Sequence, residues 1–129
     1  MPKAEEVKYT KTHEWLHLAG NEGTVGLSEH AQKEMGDIVF VELPKPGRKL
    51  EKDKPCAVVE SVKSAFDIYS PLNGEVVAVN EAVSGDPALI NQSPLEGGWL
   101  FKVKADNPAE AGALMDFAAY GDFLKQNAH

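Results

Sequence analysis

Short β-rich runs separated by turn residues dominate this chain of 129 residues. Runs rich in Val, Ile, Phe, Tyr and Trp lie at 8–10, 15–18, 24–27, 38–41, 57–59, 66–69, 76–79 and 99–103. Turn-forming Gly, Pro, Asn and Asp are concentrated between them, at 19–23, 44–47, 71–74 and 84–87. This rhythm is typical of an all-β sandwich or barrel, so we expect a mainly β fold with short connecting loops.

Two segments of the chain are expected to be helical instead. The first begins after Ser28, whose hydroxyl can cap a helix N-terminus, and ends at Gly36. The second begins after Asn107, with Pro108 in the first helical position and Glu110 three residues after the cap. Farther on, apolar side chains recur at helical spacing: Phe117, Tyr120 and Leu124. We predict a short peripheral helix and a C-terminal helical tail that packs on the sheets.

The size and charge of the chain exclude several classes of function. At 129 residues it can bury the core of one domain, but it is too short for two ordinary domains and a linker. Its net charge of -7 repels nucleic acid and anionic lipid. No stretch approaches the roughly 18 apolar residues that span a membrane, and residues 1–6 lack the apolar core of a signal peptide. We expect a cytoplasmic protein, or a mitochondrial matrix protein if the chain is a processed eukaryotic one.

Cysteine and histidine usage argues against redox and metal chemistry. Cys56 is the single cysteine, so it cannot form an internal disulfide, and its apolar neighbours predict burial. The histidines show no recognisable metal-ligand spacing: His13, His17, His30 and His129. No nucleophile with a partnered base and no phosphate-binding glycine loop is recognisable. We therefore expect neither a metal site nor a catalytic residue.

Two segments of the chain resemble each other. Residues 36–42 and 74–80 lie 38 residues apart and share the pattern Gly, acid, branched, Val, apolar, Val, polar. Each can supply a similar strand to one sandwich built from two related halves. Chance similarity between Val-rich strands is the alternative.

A hairpin is expected between these two segments, where the runs at 57–59 and 66–69 meet around Val62 and Lys63. Its tip lacks the Gly, Asn, Asp or Pro that make tight turns easy. Residues that do not suit the local backbone conformation are found most often at functional sites. An exposed lysine is ordinarily only a solubilising residue, so its neighbours in the sequence have to decide its role.

Residues 59–65, Val-Glu-Ser-Val-Lys-Ser-Ala, resemble the lipoylation motif of glycine cleavage H-proteins. Other stretches resemble the same family, in order: 12–15, 26–32, 36–44, 70–76, 89–91 and 98–100. The resemblance extends from about Lys8 to Tyr120, and several motifs in order are more specific than one. Biotin carriers have a tip like Met-Lys-Met, and lipoyl domains of oxo-acid dehydrogenases usually have Asp-Lys-Ala followed by a linker that this chain lacks.

The resemblance implies a single lipoyl-carrier domain over residues 1–129. Its fold would be the flattened barrel or sandwich of two related halves found in lipoyl and biotinyl carriers. Lipoate would be attached covalently, as an amide, to Lys63. The other residues of the modification motif would be Glu60, Ser61, Val62, Ser64 and Ala65. Three residues match positions that resemble the cleft for the aminomethyl-lipoyl group: Glu14, Asp67 and Thr12.

By the same resemblance, the chain would be a non-catalytic shuttle of the glycine cleavage system. It would carry the aminomethyl group from the P-protein, a glycine decarboxylase, to the T-protein, an aminomethyltransferase, and reducing equivalents to the L-protein, a dihydrolipoamide dehydrogenase. A lipoyl ligase or an octanoyl/lipoyl transferase would modify it, and we expect a monomer. Two alternatives remain open: an H-like protein that relays lipoyl groups to other carriers, and an unmodified β-sandwich binding module.

The remaining aromatic residues are interpreted as core. Trp15, Phe40 and Trp99 alternate with polar neighbours on predicted strands, a pattern that favours packing over cofactor stacking. His30 can either contact a partner enzyme or lie on a solvated helix face, and the sequence leaves both open.

Overall fold

The structure, a computed structural model, describes residues 3–126. Its strands are β1 (Lys8–Tyr9), β2 (Glu14–Ala19), β3 (Glu22–Leu27), β4 (Ile38–Glu42), β5 (Lys49–Leu50), β6 (Pro55–Ser61), β7 (Ala65–Tyr69), β8 (Gly74–Val79) and β9 (Phe101–Ala105). The α-helices are α1 (Glu29–Met35), α2 (Glu81–Gly85), α3 (Leu89–Gln92) and α4 (Phe117–Gln126). Short 3-10 helices span Ala4–Glu6 and Pro108–Ala113. His129 and both ends of the predicted domain 1–129 lie outside the described residues.

The strands form two antiparallel sheets. The larger has the order β1-β2-β3-β9-β8-β5, and the smaller has the order β4-β6-β7. The prediction of a mainly β sandwich is confirmed, and every predicted β-rich run contains strand residues. Strand β5 was not predicted, because two residues, one of them a lysine, present no β-rich run.

The two similar segments, 36–42 and 74–80, contribute to different sheets. The first contains β4, at an edge of the smaller sheet, and the second contains β8, inside the larger one. Their glycines are needed for different reasons. Gly36 has a left-handed φ of 82°, whereas a Cβ at Gly74 would overlap the carbonyl oxygen of Lys104. The shared glycine therefore does not reflect one shared backbone requirement.

The core lies between the sheets, with a second cluster under α4. The largest fully buried side chains of the protein include Trp15, Phe101, Leu16, Leu27, Ile68 and Leu72. Trp15 belongs to the second cluster, with Val7, Tyr9 and Tyr120, and its indole N–H donates to the carbonyl of Pro94 at 3.0 Å. Trp99 packs against the same cluster while partly exposed, so the core interpretation is confirmed fully for Trp15 and partly for Trp99. Cys56 is buried as predicted.

The prediction that Phe40 lies in the core is wrong, since its side chain is 51% exposed. The pairing of β4 with β6 shifts register between Ile38 and Phe40. A bulge of this kind breaks the alternation of faces along a strand. Phe40 therefore points outward beside Val39 instead of inward.

The helix boundaries agree in part with the sequence. The Ser28 hydroxyl accepts a hydrogen bond from the N–H of Ala31, as the predicted cap requires. The segment after Asn107 is a 3-10 helix, and the Glu110 carboxylate contacts the Asn73 backbone and side chain instead of completing a capping box. The predicted turn at 84–87 is wrong in its first half, because α2 includes residues 84 and 85. No helix within residues 3–126 is long and apolar enough to cross a membrane.

Candidate functional site

Lys63 lies at the exposed tip of the hairpin formed by β6 and β7. The hairpin pairs Glu60 with Ala65, which leaves the three residues Val62 to Ser64 in the turn beyond Ser61. Lys63 is exposed, and so is the neighbouring Val62, at 68% of its surface. The hairpin therefore presents a primary amine to solvent from a rigid base.

The hydroxyl of Ser61 organises this turn. It accepts hydrogen bonds from the N–H groups of Lys63 and Ser64, at 3.1 and 3.3 Å. The Ser61 N–H donates to the Ser64 carbonyl at 2.8 Å. A serine hydroxyl that bonds to nearby backbone can replace the usual turn residues. Ser61 thus explains why the tip needs no glycine, a role that its position at the end of a strand could have signalled.

The end of α1 lies directly beside the lysine. The Val62 N–H donates to the carbonyl of Asp37 at 3.0 Å, which fixes the tip to the segment after α1. The Lys63 ammonium donates to the carbonyl of Glu34 at 3.3 Å. A Cβ on Gly36 would lie 3.5 Å from Cε of Lys63, so the lysine stem lies along the helix terminus.

A cleft of about 880 Å³ opens between α1, β7 and α4. It is lined by both polar and apolar side chains, among them Thr12, His13, His30, Glu34, Asp67 and Leu124. Glu34, whose carbonyl accepts from Lys63, is part of this wall. The structure therefore brings Thr12 and Asp67 into one cleft and places its wall next to the lysine.

Glu14, the third predicted cleft residue, is fully buried and is not among the lining residues. Its Oε1 accepts hydrogen bonds from the hydroxyls of Thr10 and Thr12, both at 2.5 Å. Its Oε2 accepts from the N–H of Tyr69 at 3.1 Å. Burial raises the pKa of Glu14, although these hydrogen bonds oppose the shift. Glu14 thus acts on the cleft through Thr12 and Tyr69, which line it.

A chain of hydrogen bonds fastens α4 to the opposite wall. The Tyr120 hydroxyl lies 2.8 Å from Nδ1 of His13 and 2.7 Å from the hydroxyl of Ser28. His13 has a left-handed φ of 74°, and its ring lies 5.0 Å from that of His30. Burial, followed by the neighbouring His30, lowers the pKa of His13. Sequence reasoning missed His13 and Tyr120 as site residues because they lie 107 positions apart.

Neither a metal centre nor a reactive thiol is apparent in this part of the chain. Residues 3–126 contain no group of three or more His, Cys, Asp or Glu that could hold a metal ion. Burial raises the pKa of Cys56 to about 12, and its thiol donates to the carbonyl of Ile68 at 3.4 Å. A thiol in this state is a poor nucleophile.

Comparison with protein-family models matches residues 7–127 to the glycine cleavage H-protein family. The chain belongs to this family. The glycine cleavage system H protein of Klebsiella pneumoniae is 51% identical over 121 residues, covering 93% of this chain and 94% of that protein. The H protein of Chromobacterium violaceum is 55% identical over 116 residues, covering 89% and 91%. The crystal structure of the H protein of Mycobacterium marinum matches with a TM-score of 0.84, 32% identity and 100% coverage of both chains.

As an H-protein, the chain is a lipoyl carrier of the glycine cleavage system and not an enzyme. The family, its carrier function and its non-catalytic character are thereby confirmed as the sequence motifs predicted. An H-protein works with the P-, T- and L-proteins of that system.

Proposed function

We propose that lipoate is attached to Lys63 as an amide and that the cleft beside α1 shelters the carried group. One observation carries this proposal: an exposed lysine at a hairpin tip contacts Glu34, whose helix forms a wall of a cleft of about 880 Å³. The modification motif, Glu60, Ser61, Val62, Ser64 and Ala65, surrounds the lysine in this turn.

Attachment would proceed by acylation of the lysine. The Nζ amine attacks an activated acyl group delivered by a lipoyl ligase or an octanoyl/lipoyl transferase, the leaving group departs, and a proton is lost from nitrogen. The exposure of Lys63 meets the first requirement of such a reaction. The ammonium charge disappears in the amide, so its contact with the Glu34 carbonyl weakens and the arm is free to move.

The cleft fits a long alkyl arm that ends in an amine. Apolar side chains such as Phe66 and Leu124 can contact methylene groups, and Asp67 can attract a cation. When attached, lipoate would supply a dithiolane ring whose disulfide opens to hold an aminomethyl group on one sulfur and whose dithiol form can be oxidised back to the ring. The Thr12 hydroxyl donates its hydrogen to Glu14, so the hydroxyl oxygen can accept a hydrogen bond from an ammonium group. We assign Thr12 and Asp67 to direct contact and Glu14 to orienting Thr12.

We further infer that residues 1–129 form one carrier domain, a monomer located in the cytoplasm. Backbone hydrogen bonds join an N-terminal to a C-terminal segment of the described chain, from Tyr9 to Met115 and back at 2.7 and 3.0 Å. The bacterial origin of the relatives supports a cytoplasmic location.

Reconstitution tests the carrier cycle. Lipoylated protein mixed with P-, T- and L-proteins should support glycine decarboxylation, and Lys63→Arg protein treated in parallel should not. A matched Lys104→Arg variant, at an exposed position of β9, should behave like wild type. A lipoylated wild type that never supports decarboxylation would contradict the proposal and favour the lipoyl-relay alternative.

A further inference from the structure

The bulge in β4 creates an apolar surface beside the lysine. Val39 and Phe40 are adjacent in the strand, yet they are 55% and 51% exposed. An ordinary half-buried strand would turn one of them inward. Bulges often re-aim a side chain next to a functional site. Here the result is a phenyl ring in solvent on an edge strand of the smaller sheet.

This surface lies next to the hairpin that carries Lys63, because β4 pairs with β6. Val62 is 68% exposed, and its N–H bonds to Asp37, one residue before β4 begins. Five large hydrophobic side chains are exposed within residues 3–126: Val39, Phe40, Val62, Val77 and Phe117. Scattered exposed hydrophobics need no explanation, but here three of the five lie on the hairpin that carries Lys63 or on β4, the strand paired with it. We name these three, Val39, Phe40 and Val62, the tip patch.

Carboxylates border the tip patch. Strand register places Phe40 opposite Glu60 and Glu42 opposite Val58, while Val58 pairs on its other side with Asp67. The three acids on this face are exposed, and none forms an ion pair with another described residue: Glu42, Glu60 and Asp67. A complementary partner surface would therefore combine an apolar pocket with basic side chains around it.

We propose that the tip patch is the docking surface for the acyl-transfer enzyme that attaches lipoate to Lys63. This inference rests on the proposed function. An enzyme that acylates Nζ must reach the end of a four-carbon stem, so its surface must cover the residues around the tip. Enzymes that act at the far end of the lipoylated arm can dock elsewhere, because the tether spans the distance. Phe40 is the anchor of the docking surface, since buried aromatic residues dominate binding energy at interfaces.

Steady-state acylation by a lipoate ligase supplied with lipoic acid and ATP tests this assignment. Phe40→Ser should raise the KM for the carrier at least about 10-fold and leave kcat within about twofold, because docking weakens while the lysine stays in place. Val39→Ser should raise KM in the same direction, and Phe40→Leu should restore most of the loss. Val77→Ser removes a comparably exposed side chain from β8 in the other sheet and should change neither constant.

Equilibrium binding provides a readout that does not depend on acylation. The ligase should bind the Lys63→Arg carrier, and adding Phe40→Ser should weaken that binding by a similar factor of about 10. Wild-type kcat/KM in Phe40→Ser and Val39→Ser, or a loss confined to kcat, would overturn the docking assignment. A wild-type chain that gains no lipoyl group on Lys63 would instead overturn the proposed function.

Discussion

Glu14 shows how a buried acid can shape a cleft without lining it. Its two carboxylate oxygens accept hydrogen bonds from the hydroxyls of Thr10 and Thr12 and from the N–H of Tyr69. Its pKa is raised in the folded state, so its contribution to stability is fully present below the ordinary value of 4.5 and is lost as pH rises through the higher folded value. The hydrogen bonds to Glu14 hold the two hydroxyls and the Tyr69 N–H in place beside the cleft.

Removing this carboxylate should affect both stability and the carried group. Glu14→Ala leaves three donors without their acceptor, which should lower the free energy of unfolding by about 1–3 kcal/mol. It should also speed the release of amine or formaldehyde from the loaded carrier. Thr12→Val and Asp67→Asn should shorten the lifetime of the loaded state as well. Glu42→Gln, on the same sheet but outside the cleft, is the control. An unchanged lifetime in Glu14→Ala would remove Glu14 from the site.

Helix α4 is the element whose attachment depends most on a few polar contacts. The Tyr120 ring stacks on Tyr9 with centroids 4.2 Å apart, and its hydroxyl contacts His13 and Ser28. Because Leu124 of the same helix lines the cleft, this attachment also sets one cleft wall. The sequence predicted the helical tail from its apolar spacing. It did not predict the contacts, because hydrogen bonds between distant segments leave no local pattern.

The folded protein should lose stability in mild acid. The pKa of His13 is lowered below 6.5 by burial, so between that folded value and 6.5 the unfolded chain binds more protons. Unfolding free energy should therefore fall as pH drops from about 7 through this window. His13→Asn keeps a residue that tolerates positive φ and should flatten the dependence. Thermal unfolding at several pH values measures this pH dependence. An equal dependence in wild type and His13→Asn would contradict this role for His13.

At the scale of the whole molecule, patterns that repeat along the chain were predictable. Alternating β-rich runs indicated the sandwich, and the Ser28 and Gly36 signals indicated α1. Features that depend on three-dimensional pairing were not. A bulge in β4 turns the side chain of Phe40 outward instead of inward. The Glu110 carboxylate accepts a hydrogen bond from Asn73, in a distant part of the fold, instead of capping its own helix. The hairpin was predicted from the two β-rich runs that meet at 62–63, and its ill-suited tip residues indicated a functional site. The serine hydroxyl that replaces the usual turn residues was not predicted.

The proposed function depends on lipoylation of this carrier at Lys63. Intact-mass measurement and peptide mapping after incubation with lipoate, ATP and a lipoate ligase test it most directly. Wild type and the Lys104→Arg control should each gain one lipoyl increment, mapped to Lys63, and Lys63→Arg should gain none. A lipoyl group on another lysine, or equal modification of Lys63→Arg, would rule out Lys63 as the attachment site.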